Sequence, residues 1–118
     1  MLYSKSQTVQ LSDALFQNPG SEYRGTPFWA WNCKLEKEDL DSEELLRQLD
    51  VLKEMGMGGA HLHVRTGLAT PYLSDAFFLA VKQCVKKCQQ ENMQLWLYDE
   101  DRWPSGAAGG LVTKDHQY

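Results

Sequence analysis

Apolar positions along the chain change their spacing several times, and each change marks an element. Thr26 to Asn32 (TPFWAWN) is a compact apolar and aromatic run, short enough to be a buried strand. From Asp41 the spacing becomes helical: Leu45, Leu46, Leu49, Leu52 and Met55 form one apolar stripe. Asp41 and Ser42 open this helix, with Glu44 three residues after Asp41 at capping-box spacing. Gly56 and the Gly58-Gly59 pair end it, because glycine takes the left-handed C-terminal position without steric cost. Ala60 to Val64 is a second strand, inside GGAHLHVR. Ser74 caps a second helix with the stripe Phe77, Val81, Cys84, Val85 and Cys88, and a charged face of Lys82, Lys86, Lys87 and Glu91. Asn92 stops it, and Gln94 to Tyr98 (QLWLY) is a third strand. The first 25 residues are only weakly periodic, with Leu11, Ala14 and Leu15 on a short helical face and Asn18-Pro19-Gly20 as a turn.

Strands alternating with helices over short connections predict an α/β protein with a parallel sheet. In a closed barrel and in an open doubly wound sheet alike, function sits at the carboxyl ends of the strands. The chemically rich residues fall there: Asn32 after the first strand, His63 with Arg65 at the second, Asp99 with Glu100 at the third. Spacing alone leaves barrel and open sheet undecided. A full barrel needs about 250 residues and this chain has 118, so we expect a truncated piece of a larger fold. Three parallel strands with two helices would also leave a sheet edge and a sheet face poorly covered.

Composition narrows the partners. Hydrophobic residues make up 42% and charged residues 24%, a globular balance. The net charge is -4 and the 12 basic residues are scattered, so nucleic acid and anionic membrane are not expected as partners. No apolar run reaches signal-peptide or bilayer-spanning length, which predicts a cytoplasmic protein. Cys33, Cys84 and Cys88 fit neither a disulfide framework nor a zinc knuckle, and read as small hydrophobes in a reducing compartment.

Strand alternation places His61, His63 and Arg65 on one face of the second strand and Ala60, Leu62 and Val64 on the other. The apolar face should meet the helices, leaving the histidines and arginine for a polar pocket wall or for hydrogen bonds to neighbouring strands. An HxH pair is also the metal-binding unit of amidohydrolase barrels, but no further ligand set accompanies it, since only His116 remains. On the third strand Leu95 and Leu97 share one face, and Trp96, Tyr98 and Glu100 the other. Carboxylates beside aromatic faces suit hydroxyl binding and acid/base work, and a sugar ring requires both surfaces. The bland alternative is a solvated acidic turn at residues 99–101. Trp29 and Trp31 read as core, whereas Trp103, in a loop before Pro104, reads as a ligand platform. The GAAGG run at 106–110 lacks the order of a phosphate-binding loop and reads as a tight turn opening a third helix, with Ser105 as its cap.

PFWAWN at 27–32, GMGGAHLHVRTGL at 56–68, YLS at 72–74 and LYDEDRWPSGAAGG at 97–110 together resemble the α-L-rhamnosidase-like glycoside hydrolases, family 106 and its relatives. The resemblance runs from about Asn18 to Val112. It implies the first three β/α units of a catalytic (β/α)₈ TIM barrel: a lead-in segment at 1–25 and the N-terminal part of the barrel at 26–118. The implied activity is cleavage of terminal α-L-rhamnose or a similar sugar from plant glycans. No cofactor is evident in the chain itself, although calcium accompanies the site in some members. Asn32, Asp99, Glu100 and Trp103 would lie around the sugar, with His61, His63 and Arg65 on the same pocket wall. The catalytic acid and base are expected on later strands, leaving Glu100 as the candidate within this chain. This chain departs from the family at His61 and His63, where a hydrophobic or aromatic residue is more usual. A metal-dependent barrel hydrolase using the HxH pair and a non-catalytic carbohydrate-binding remnant are the alternatives.

Overall fold

A computed structural model describes residues 12–35, 42–102, 106, 108–115 and 117. In chain order the elements are α1 (Asp13–Gln17), β1 (Phe28–Trp31), α2 (Ser42–Glu54), β2 (Gly59–Val64), α3 (Asp75–Gln90) and β3 (Gln94–Asp101). The three strands form one parallel sheet in the order β1-β2-β3. Each β-α-β passage therefore returns the chain to the strand beside the one it left, the connection expected of alternating strands and helices.

Both long helices lie against one face of the sheet. Leu45 and Leu49 of α2 and Phe77, Ala80, Cys84 and Cys88 of α3 form a single core with Trp29, Trp31, Ala60, Leu62 and Val64 of the strands. The helical stripes are narrower than periodicity suggests. Met55, just past the end of α2, is 64% exposed, and on α3 Val85 faces out while Ala80 is buried in its stead. The small side chain of Ala80 suits close approach of a helix to a sheet. Among the described residues, no helix is long and apolar enough to cross a membrane.

The helix ends follow local chemistry. Ser74 has extended backbone geometry and its hydroxyl accepts from Phe77 N–H at 3.3 Å, satisfying a first-turn donor of α3. Gly56 (φ +84) ends α2, with Met57 N–H donating to Leu52 O and Gly56 N–H to Lys53 O. Asn92 (φ +53) plays the same part after α3, where Met93 N–H reaches Cys88 O at 2.8 Å. Both are Schellman closures, which turn the chain straight into the next strand. The expected caps Asp41 and Ser105 lie outside the described residues, as does Leu11.

Across the two helices, Lys87 pairs with Asp50 at 2.7 Å and with Glu91 at 3.1 Å, and Lys53 also pairs with Glu91. Those two lysines hold the Glu91 carboxyl below its ordinary range. At the amino ends of the strands, Arg24 ties down the preceding segment by donating to Pro19 O (2.8 Å), Gly56 O (3.3 Å) and Asn18 Oδ1 (2.7 Å). Gly25 O accepts from Gly58 N–H in the same region. Gly59 is required by close approach: a Cβ there would overlap the carbonyl of Gln94, its register partner on β3.

Past β3, residues 108–110 form a single 3₁₀ turn with Gly109 in the left-handed region (φ +65), and further turns follow to Lys114. The third helix anticipated from the GAAGG run does not form among the described residues. Two glycines and an alanine at positive φ (Ala108, Gly109, Gly110) are incompatible with a continuing helix.

Candidate functional site

Among the described residues, no helix lies on the other face of the sheet. β1 and β2 pair with Phe28 opposite His61 and Ala30 opposite His63, and β2 and β3 pair with His61 opposite Trp96. Partners in register share a face, so Phe28, His61, His63, Trp96 and Tyr98 gather on this side. Their rings are in contact. His61 stacks on Trp96 at 5.7 Å and 13°, His63 meets Tyr98 edge-on at 4.3 Å, and Phe28 touches His61, His63 and Tyr98 at 5.8, 5.5 and 5.8 Å. Phe28 is 69% exposed and Trp96 49%, so two large apolar surfaces remain open beside polar groups.

The polar groups differ in how they are held. His61 Nδ1–H donates to Thr26 O at 2.9 Å, which fixes its ring. His63 is 6% exposed. Burial, then the neighbouring Arg65, pushes its pKa down, and Glu100 acts in the opposite direction. Burial thus favours the neutral imidazole at His63.

β3 is irregular where the chemistry is richest. Leu62 is in register with Leu97, but Val64 is in register with Asp101, so residues 98–100 stand opposite His63 alone. A bulge of this kind sharpens twist and re-aims side chains. Glu100 is half-buried here, Asp99 is exposed, and Asp101 is paired with Arg102 at 2.9 Å. Asp101 also lines a 270 Å³ cavity with Thr70, Tyr72 and Gly109. Burial and the charges of Asp101, Asp99 and Glu100 raise the Tyr72 hydroxyl above its ordinary pKa.

The loops after β1 and β2 are stitched together over this end. Arg65 N–H donates to Trp31 O (3.0 Å), Ala69 N–H to Cys33 O (3.1 Å), and Leu35 N–H to the buried Thr70 hydroxyl (2.7 Å). Gly67 (φ +108) brings its backbone against the carbonyl of Asn32. Asn32 and Arg65 are exposed at the carboxyl ends of β1 and β2.

The expected site residues thus fall into groups. His61, His63 and Glu100 meet on the bare face. Asn32, Arg65 and Asp99 stand exposed around its carboxyl end. Trp103 lies outside the described residues, as do Pro104 and His116. Trp29 and Trp31 point into the core, with Trp29 Nε1–H donating to Gln48 Oε1 at 2.7 Å. Sequence reasoning overlooked Phe28, although its parity with His61 in a parallel pair would have revealed it. Tyr72 and Asp101 were also overlooked as cavity neighbours, since nothing local links a loop tyrosine to the end of β3.

The donor set does not assemble a metal site: among the described residues, no three His, Cys, Asp or Glu side chains converge. His61 has already committed one ring nitrogen to Thr26 O, and Asp101 is paired with Arg102. Comparison with protein-family models, with curated proteins and with solved structures finds no match.

Proposed function

We propose that this chain supplies the first three β/α units of a glycoside hydrolase barrel acting on terminal α-L-rhamnose or a similar sugar. The observation that carries the reading is the bare sheet face, where Phe28, Trp96 and Tyr98 alternate with His61, His63 and Glu100. A pyranose has apolar C–H faces and a rim of hydroxyls. Exposed rings meet the first, and imidazole, carboxylate and amide groups meet the second. The polar residues concentrate towards the carboxyl ends of the strands, where barrel enzymes keep their sites. The sheet leaves β1 and β3 each with one unpaired edge among the described residues, and further strands of a barrel would pair them.

Glycoside hydrolysis needs two carboxyl groups on opposite sides of the scissile bond. β3 offers Glu100 for one, and in this reading its counterpart belongs to a later strand. The isolated chain then binds sugar without turnover. The test is an assay of the intact parent enzyme on an aryl α-L-rhamnoside and pectic oligosaccharides, expecting monosaccharide release. No hydrolysis across that panel would overturn the assignment, and turnover by the purified 118-residue chain would overturn the placing of the second carboxyl on a later strand.

A further inference from the structure

Among the described residues, two polar atoms on the bare face are buried without a hydrogen-bond partner: Nε2 of His63 and Oε2 of Glu100. A third such atom, Trp31 Nε1, belongs to a fully buried core side chain. The bulge in β3 sets residues 98–100 against His63, which brings Glu100 to the same end of the same face. The two groups are not bonded to each other, since each is left unsatisfied. Phe28 and Tyr98 wall the imidazole with apolar ring surface. Unpaired buried polar groups are costly, so the pair calls for a third group that serves both.

The chemistry of that group is restricted. An ionised carboxylate only accepts hydrogen bonds, while a neutral imidazole offers one N–H and one lone pair. An anionic ligand would be repelled by Glu100, and a cation would meet the guanidinium of Arg65, whose charge acts on His63. A hydroxyl satisfies both partners.

We propose that His63 and Glu100 jointly grip one hydroxyl of a bound sugar, the imidazole N–H donating to its oxygen and its proton pointing at the carboxylate. The ligand class rests on the glycoside hydrolase reading; the need for a bridging hydroxyl rests on the orphaned pair. Because the gripped hydroxyl must donate its own proton to the carboxylate, it must be free: a sugar methylated, acylated or glycosylated at that oxygen has no proton to give and loses the contact. His63 and Glu100 are thus specificity-determining residues for an unsubstituted sugar unit.

The experiment titrates the ¹⁵N-labelled full chain with methyl α-L-rhamnopyranoside and its three monodeoxy derivatives. Trp96 indole and His63 imidazole resonances are the readouts. The expected result is that one derivative binds about tenfold more weakly than the parent sugar, a loss of one hydroxyl contact. His63→Phe and Glu100→Gln each bring the parent sugar to that weaker level and abolish the discrimination. If Trp96 responds to sugar but both variants keep full affinity and discrimination, the hydroxyl grip is wrong while the sugar reading stands. If the parent sugar moves neither resonance, the sugar reading fails and the grip with it. Should the variants not fold, the wild-type series still decides: equal affinity for all four sugars overturns the proposal.

Discussion

The two faces of one three-stranded sheet present opposite solutions to the same backbone. On the helix side, Ala60, Leu62 and Val64 pack with Leu45, Leu49, Phe77 and Cys84 in one buried core, although Leu97 at the β3 edge of that face is half exposed. On the bare side, residues one position removed along the same strands are, apart from Ala30, aromatic, imidazole or carboxylate, and two buried polar atoms there have no partner among the described residues. The difference teaches that a single alternation separates what holds the fold from what faces a ligand. Stability belongs to even-numbered positions of β2, and chemistry to the odd.

That contrast is broken or sharpened most strongly by a pair of truncations. Phe77→Ala opens a cavity in a fully buried site and should cost about 3–5 kcal/mol. Trp96→Ala removes a half-exposed ring and should cost less than about 1 kcal/mol. Urea denaturation of the two variants measures both, and equal losses would mean the faces are not different in kind. The next effect comes from acid. The folded-state pKa of His63 lies below its ordinary value, so the unfolded chain binds more protons as pH falls below about 6.5. The stability it contributes is fully present above that pH and is lost as pH drops towards the folded pKa. In His63→Phe the pH dependence of stability between pH 7 and 5 should flatten, by at most about 1.4 kcal/mol per pH unit. An unchanged slope would show that the imidazole is solvated.

The smallest effect is chemical. Burial pushes the Cys84 and Cys88 thiols up to about 12 and about 11, and that of half-buried Cys33 upward as well. A thiol-directed reagent at pH 8 should label Cys33 first, and reach the α3 pair only on unfolding. Early labelling of Cys84, read by mass spectrometry, would show that the helix side opens locally.

Much of this arrangement is legible in the sequence because its causes are local. Ser74, Gly56 and Asn92 announce the helix ends through their own backbone chemistry, and strand parity sorts Ala60, Leu62 and Val64 from His61 and His63. Where the cause is tertiary, legibility fails. The burial of Ala80 in place of Val85 depends on how α3 rotates against the sheet. The extension of β3 to Asp101 depends on pairing with β2, which makes strand out of an acidic run that reads as loop. The bulge opposite His63 has no signature in alternation. Glu100 is nevertheless assigned to the correct face because the register shift is two residues, which preserves parity. A shift of one would have turned it to the other side.

The strand order β1-β2-β3 also governs how the chain can acquire its shape. Each strand pairs with its immediate predecessor in sequence, and each long helix lies between the strands it covers. A nascent polypeptide leaving the ribosome can therefore add one strand and one helix at a time, never waiting for a distant segment to arrive. Such nearest-neighbour growth keeps loop-closure entropy low and assembly fast. Its vulnerable moment comes when β2 has formed and β3 has not, for then the ladder edge that ends at the Gly58-Gly59 pair is exposed to any extended chain nearby.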